Sequence, residues 1–397
     1  MCRVTGQDGD SAGPLVAPEA RALLGVLRAA GPLTRAQLAE RTGLARTTLT
    51  VRLETLLHAG LVVPAGGAAS RGGRPPGLLA FRADARLLLG IDLGATHAVV
   101  GLTDLTGTVV ATRAERLAVA DGPRTVLGRV SALARTLVEG GSGRPWADVV
   151  GIGVGLPGPV EHSTGRPVRP PIMPGWDGFD VPALLRDELG VPLVLVDNDV
   201  NLLALGEHTS AWSATDDLLF VKVATGIGAG IVAGGRLQRG AQGSAGDLGH
   251  VRVPFTRDAP PHGDADADLE ALASGPAVAA ALRDQGVPAR DADDVVDLAQ
   301  RGLPEAVRAV RQAGRDLGAV LATVVNLLNP GVIVVGGTLA GAGEHLLAGV
   351  RETVYGRSTA LATRDLTIVP ATSGEAGGVL GAAVMVSQHV LDGPAEA

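Results

Sequence analysis

Asp92-Leu93-Gly94-Ala95-Thr96 joins two apolar runs of strand length, Leu87–Ile91 and His97–Thr103. Such runs with a glycine turn between them read as a hairpin opening from the end of a buried strand. Gly94 lets backbone amides approach a phosphate, Thr96 adds a hydroxyl, and Asp92 can hold Mg²⁺ through water. A third run, Thr108–Thr112, follows Leu105-Thr106-Gly107. One glycine turn is weak evidence, since most are only hairpins. The arrangement recurs, however, where Leu218–Val223 passes through Ala224-Thr225-Gly226-Ile227-Gly228-Ala229-Gly230 into Ile231–Ala233. Two such units predict two related α/β lobes that close on phosphates from both sides.

Between the two units, Val191–Val196 reads as a buried strand that opens through Asp197-Asn198-Asp199-Val200-Asn201 into a helix ending near His208. A carboxylate at a strand end over the interlobe cleft is where a general base for a sugar hydroxyl would sit. Asn198 can donate and accept toward neighbouring hydroxyls. The same residues also suit a simple helix cap, and both readings stand. Further on, Gly243-Ser244-Ala245-Gly246-Asp247-Leu248-Gly249-His250 sets an acid and an imidazole three residues apart, within reach of one polyol. Glu305–Leu328, apolar at Val310, Leu317, Leu321, Val324 and Leu328, reads as a core helix.

Upstream lies a different instrument. Residues 1–17 read as a loose tail. Residues 18–30 place Ala20, Leu23, Leu24 and Leu27 on one helical face, and Gly31-Pro32 ends that helix. Thr34 can cap a second helix running to Thr42, Gly43 permits a tight turn, and Ala45–Ala59 forms a third helix whose stripe Leu49, Leu53, Leu56, Leu57 faces inward. The third helix offers Arg46, Thr47, Thr48, Thr50 and Arg52, suited to base edges and phosphates, and Arg35 stands at the start of the second. Leu61-Val62-Val63 and Leu78-Leu79-Ala80-Phe81 bracket a glycine-rich loop, which makes a winged helix-turn-helix over residues 18–82. Within the loop Ser70-Arg71-Gly72-Gly73-Arg74-Pro75, Arg71 and Arg74 can enter a narrow minor groove, although the stretch also suits a flexible linker.

Composition agrees with this division. Residues 1–82 hold ten Arg against five Asp and Glu, whereas the remainder holds 24 basic and 36 acidic residues. A basic head on an acidic body is the footprint of a DNA-binding domain joined to something else. Lys222 is the only lysine beside abundant arginine, which reads as a codon habit and not as a site. Cys2 is the only cysteine, which excludes intramolecular disulfides and thiolate metal clusters and fits a reducing cytoplasm. No run of about 18 apolar residues or signal pattern is present, so a cytoplasmic protein without a membrane partner is expected.

From about residue 18 the chain resembles the ROK family (repressors, open reading frames and kinases), in its winged-helix repressor branch of xylose- and N-acetylglucosamine-repressor type. The resemblance rests on Arg35-Ala36-Gln37-Leu38-Ala39, Thr42-Gly43-Leu44, Gly72-Gly73-Arg74-Pro75 and Asp92-Leu93-Gly94-Ala95-Thr96. It continues through Gly151-Ile152-Gly153-Val154-Gly155-Leu156-Pro157-Gly158-Pro159, Gly175-Trp176, Asn198-Asp199-Val200-Asn201, Gly246-Asp247-Leu248-Gly249-His250, Asn329-Pro330 and Gly336-Gly337. The resemblance implies an α/β fold: a winged helix-turn-helix followed by a two-lobed actin-like, sugar-kinase (ribonuclease H-like) ATPase fold. The first lobe would span 83–197, with a C-terminal helix at about 376–391 packing back on it. The second would span 198–375, with the sugar site and a dimerisation surface. By the same resemblance Asp199 matches the catalytic base, here expected to serve ligand binding. Asn198, Asp199, Asp247, His250 and Glu270 match the sugar set. Asp92, Gly94, Thr96, Thr225, Gly226, Gly228, Gly336 and Gly337 match the phosphate and nucleotide set.

Two departures bear on chemistry. Where family members usually carry a cysteine-rich zinc loop, this chain has Pro261-His262-Gly263-Asp264-Ala265-Asp266-Ala267-Asp268, so no zinc is expected. That acidic run reads as a solvated loop in preference to a hard-cation site. Asp247 stands where the family usually has Glu, and Ala95 adds a Cβ where close phosphate approach is wanted. The expected function is a sugar-responsive repressor, dimeric or tetrameric, released from a double-stranded operator by a sugar or sugar phosphate. No cofactor is required for that role. The alternative is an active sugar kinase with a DNA-binding head, which alone would need ATP and Mg²⁺.

Overall fold

Pro18 at the first helical position starts α1 (Pro18–Ala30), and its stripe Ala20, Leu23, Leu24 and Leu27 is wholly buried. Thr34 and Gln37 form a reciprocal capping box at the start of α2 (Arg35–Thr42), and Gly43 closes that helix at φ +67°. α3 (Arg46–His58) buries Leu49, Leu53 and Leu56 against α1. β1 (Leu33–Thr34), β2 (Val62–Gly67) and β3 (Gly77–Phe81) form the wing sheet in the order β1-β3-β2. This computed structural model describes residues 15–67, 77–141, 143–253 and 268–393. Arg71 and Arg74, expected in the wing loop, and the acidic run at Asp264 and Asp266, lie outside the described residues.

The body contains two five-stranded sheets of the same design. In the first, β4 (Leu87–Leu93), β7 (Val149–Leu156) and β10 (Val194–Asn198) are parallel, and β5 (His97–Asp104) and β6 (Val109–Arg116) extend them antiparallel in the order β10-β7-β4-β5-β6. The hairpin β8 (Val160–Glu161) and β9 (Arg166–Pro167) projects beside it. In the second, β11 (Leu218–Val223), β14 (Val332–Gly336) and β15 (Thr367–Pro370) are parallel, and β12 (Ile227–Ala233) and β13 (Arg236–Gln238) are antiparallel. The order β15-β14-β11-β12-β13 repeats the first sheet strand for strand. The two glycine-turn units of the sequence are thus the β4–β5 and β11–β12 hairpins.

Helices α4 (Pro123–Gly141) and α5 (Val181–Leu189) cover the first sheet. Trp176 lies wholly buried in this core and donates its Nε1–H to the Val119 carbonyl at 3.0 Å. The second lobe carries α7 (Leu269–Ala273), α8 (Gly275–Asp284), α9 (Ala292–Gln300), α10 (Pro304–Leu328), α11 (Glu344–Arg357) and α12 (Ala360–Thr363). In α10 the core stripe runs through Val310, Leu317, Leu321 and Val325, while Leu328, expected inside, is 47% exposed at the end of the last turn. The third wing-helix, expected from Ala45, begins one residue later, and β6 extends four residues beyond the expected Thr112.

Two helices lie between the sheets: α6 (Asp199–Ala211) and α13 (Gly377–Asp392). Glycines let them approach to backbone distance. A Cβ on Gly381 would stand 1.7 Å from the Leu202 carbonyl oxygen, and one on Gly206 would stand 2.1 Å from that of Gly377. Gly90 and Gly153 of the first sheet would meet Val379 and Ala382 carbonyls in the same way. Alternation along β7 puts Gly151, Gly153 and Gly155 on one face, forming the floor on which α13 and α6 rest. That glycine-rich stretch is packing surface, not a phosphate loop.

The far half of α13 reaches the head. Ala383, Val386, Val390 and Leu391 share a core with Leu23, Leu24 and Leu27 of α1. Arg28 of α1 closes the contact with an ion pair to Asp392 at 2.9 Å. A single helix therefore spans from the interlobe region to the helix-turn-helix head.

Candidate functional site

β10 continues through Asp197 and Asn198, so both are strand-end residues and α6 begins at Asp199. Asn198 caps α6, its Oδ1 accepting from the Val200 amide at 2.9 Å, while its Nδ2 donates to the Gly158 carbonyl at 3.0 Å. Both ends of the amide are therefore held, with one N–H and one lone pair left for a ligand. Asp199 is 3% exposed, and its Oδ2 lies 2.5 Å from Lys222 Nζ on β11. This pair joins the start of α6 to β11. Asp92, at the end of β4, is packed so closely on the first turn of α13 that a Cβ on Gly378 would lie 2.2 Å from its Oδ2. Burial pushes the Asp92 carboxyl up to about 7, against the pull of Lys222 and with the push of Asp199. Burial also works against the Lys222 charge, but Asp199 and Asp92 together hold its pKa above the usual lysine value.

Asp197 forms a second buried anion centre. It is 2% exposed and accepts from Arg239 Nε at 2.6 Å and Asn201 Nδ2 at 2.8 Å. His162 stands 3.5 Å from the same carboxylate, with its Nδ1 also 3.0 Å from the Val196 carbonyl oxygen. Burial and the Arg239 charge lower the His162 pKa, so the ring is neutral at pH 7 and its Nδ1–H donates. Glu207, wholly buried on α6, accepts from the Thr372 and Ser373 amides and fixes the segment leading into α13.

Asp247 and His250 lie on the exposed connection after β13, with the His250 side chain 65% exposed. His250 Nδ1 is 3.2 Å from Asp268 Oδ2, and that hydrogen bond, joined by the Asp247 charge, raises its pKa and favours the imidazolium. Glu270 turns its Oε2 onto the Ile227 amide at 2.9 Å, beneath the β11–β12 turn. Thr96 and Thr225 are exposed at the tips of the two glycine turns, and Gly94, Gly226 and Gly228 form their backbones. Gly336 ends β14 against Phe220, and Gly337 follows at φ +87°, with a Cβ there only 2.5 Å from the Val223 carbonyl oxygen.

Both turns have resident partners in this structure. The Gly94 amide donates to the His97 carbonyl at 2.9 Å, and the His97 ring covers the face of Gly94. The Ile227 amide already holds a carboxylate, where an incoming phosphate would meet like charge.

Several site residues lay outside the sequence reading. Lys222, set aside there as a compositional remnant, carries the central charge of the cleft. Its uniqueness was the signal that could have found it. Arg239 and His162, the partners of Asp197, gave no local pattern, because they lie far from it in sequence.

On the head, α3 turns Arg46, Thr47 and Thr50 fully outward, with Thr48 and Arg52 half-buried beside them, and Arg35 is exposed at the start of α2. Thr50 Oγ1 donates to the Arg46 carbonyl at 2.9 Å, which leaves its oxygen able to accept. Val51 is 63% exposed in the middle of this surface, an apolar group suited to a thymine methyl that sequence reasoning missed. Thr47, Thr48, Val51 and Arg52 line a shallow concavity with Glu19.

A helix-turn-helix head fixed to two sugar-kinase-type lobes defines a DNA-binding protein built on a carbohydrate-handling fold. The ROK family profile matches residues 88–389, and a helix-turn-helix domain profile matches residues 15–64. The chain belongs to the ROK family. It is 28% identical over 376 residues to the xylose repressor of Caldicellulosiruptor bescii, covering 91% of this chain and 93% of that protein. It is also 30% identical over 321 residues to the glucokinase of Halalkalibacterium halodurans, covering 77% of this chain and 96% of that one. Among solved structures, a ROK family transcriptional regulator described as a homologue of the Escherichia coli Mlc protein superposes with a TM-score of 0.79. That likeness spans 95% of this chain and 96% of the other at 24% identity. The match to the xylose repressor covers more of this chain than the match to the glucokinase, 91% against 77%. Among the described residues no helix is long and apolar enough to cross a membrane.

Proposed function

We propose that this chain is a sugar-responsive transcriptional repressor whose body binds a sugar or sugar phosphate and whose head binds an operator. The observation that carries this reading is α13, which packs at one end on Asp92 and α6 and at the other on α1 of the head. A ligand that moves α6 against the first sheet must move α13, because their backbones are in contact. A dimer would present two such heads to an inverted repeat, and a change in their spacing would release it. Effector and DNA affinities are then reciprocally linked.

The test is DNA release. Full-length protein is bound to DNA from upstream of its own gene, and free sugars and sugar phosphates are screened for release by fluorescence anisotropy. Arg46→Ala is expected to weaken operator binding roughly tenfold or more while leaving effector binding unchanged. Equal binding to operator and unrelated DNA at moderate salt would sink the repressor reading. His250→Ala is expected to abolish release by the effector while apo DNA affinity stays within about twofold, because His250 and Asp247 offer paired polyol contacts and none to the head. A normal dose response from that variant would remove His250 from the effector site.

A second reading, retained sugar kinase activity, is favoured by Asp199 at the hinge of the cleft and by the glucokinase relative. Sugar-dependent ADP release that Asp199→Asn abolishes would establish it.

A further inference from the structure

Lys222 is the sole lysine of the sequence, and it reaches from β11 to Asp199 at the start of α6, with Asp92 at the end of β4 close by. We propose that its ammonium is a tethered counter-ion in the place of a divalent cation, so that the cleft works without metal or nucleotide. The placement is specific. Lys222 Nζ is 2.5 Å from Asp199 Oδ2, and its side chain is 21% exposed, so the contact is largely shielded from solvent. Asp92 Oδ1 and the Asp199 Cα both lie 3.4 Å from where a Cβ on Gly155 would stand, so the second carboxylate sits beside the first. Arg239, the other cation of this region, is committed to Asp197 and cannot replace it. A metal ion entering here would meet a fixed positive charge and find the Asp199 oxygen already taken.

Lysine suits this role because its charge is compact and sits on a stem long enough to reach across the cleft. Magnesium sites commonly use one or two carboxylates with water completing the octahedron. Removing the ammonium therefore leaves Asp92 and Asp199 as the start of such a site. The idea rests on the effector reading only for the importance of the cleft. Its test uses neither sugar nor DNA, so either can fail alone.

The experiment titrates the full chain with Mn²⁺ alone at pH 8, with free Mn²⁺ read by electron paramagnetic resonance. Wild type is expected to show no Mn²⁺ binding that Asp199→Asn removes. Lys222→Gln, which keeps the stem and a hydrogen-bond donor, is expected to bind Mn²⁺ at least roughly tenfold more tightly. Lys222→Arg should behave as wild type, and adding Asp199→Asn to Lys222→Gln should erase the gain. Circular dichroism checks that each variant is folded. Folded Lys222→Gln with no gain would overturn the proposal. If that variant does not fold, the wild-type arm decides: Asp199-dependent Mn²⁺ binding overturns the proposal, and its absence supports it.

Discussion

Gly381→Ala is expected to destabilise the protein by about 3 kcal/mol or more and to disturb effector-induced DNA release. The added Cβ would stand 1.7 Å from the Leu202 carbonyl oxygen, well inside contact distance. The obstacle is helix backbone, which has no rotamer to change. α6 and α13 must separate, and α13 is held on its other side by carbonyls over Gly90 and Gly153. The strain therefore falls on the connection between the cleft and the head. Gly25→Ala in α1 is the matched control, since nothing lies within 4 Å of a Cβ there. It should be neutral or stabilise by roughly 0.5–1 kcal/mol, the ordinary helix preference of Ala over Gly. Denaturant unfolding of both variants, with DNA release measured beside it, makes the comparison. Equal stability of the two would show that α6 and α13 are not locked as described.

The second large effect is expected at Arg239. Arg239→Ala leaves the Asp197 carboxylate, 2% exposed, without its only ionised partner among the described residues, and breaking a buried pair from one side costs about 3 kcal/mol. Asp197→Asn added to Arg239→Ala removes the stranded charge and should recover part of that loss. The deficit should also depend on pH. In wild type, burial and then Arg239 lower the His162 pKa. Without Arg239 the imidazolium becomes the counter-charge to Asp197, and its folded-state pKa rises. A raised histidine pKa gives stability that is present at low pH and lost as pH rises through it. The Arg239→Ala deficit should therefore be smaller at pH 5.5 than at pH 8. A double variant no more stable than Arg239→Ala, together with a flat pH profile, would mean that Asp197 does not depend on this arginine.

Local signals carried much of the architecture. The capping box at Thr34 and Gln37, the stripes of α1 and α3 and the turn glycines act within a few residues, so they could be read directly. The repeat of strand, glycine turn and strand predicted two related lobes, and the sheets share one strand order. Glycines were the harder case. A glycine that admits a phosphate and one that admits a neighbouring helix look alike in sequence, because both positions only require the absence of a Cβ. Gly151, Gly153 and Gly155 proved to be the latter. Asn198 showed the converse ambiguity: it is placed at the cleft, yet both ends of its amide are used in capping and anchoring.

The sequence by itself determined the two-part plan: a basic helix-turn-helix head and a duplicated α/β body, each specified by periodicity, caps and turns. Tertiary structure alone decided which charges meet. Lys222 with Asp199, Arg239 with Asp197, and Arg28 with Asp392 join residues separated by 23, 42 and 364 positions. No local pattern encodes such pairs, because they exist only after the lobes and α13 have packed. The same packing turned the hairpin at Asp92-Leu93-Gly94-Ala95-Thr96 from an open phosphate turn into one wall of a cleft with a resident ammonium. It also made α13 the helix that touches both this cleft and the DNA-reading head.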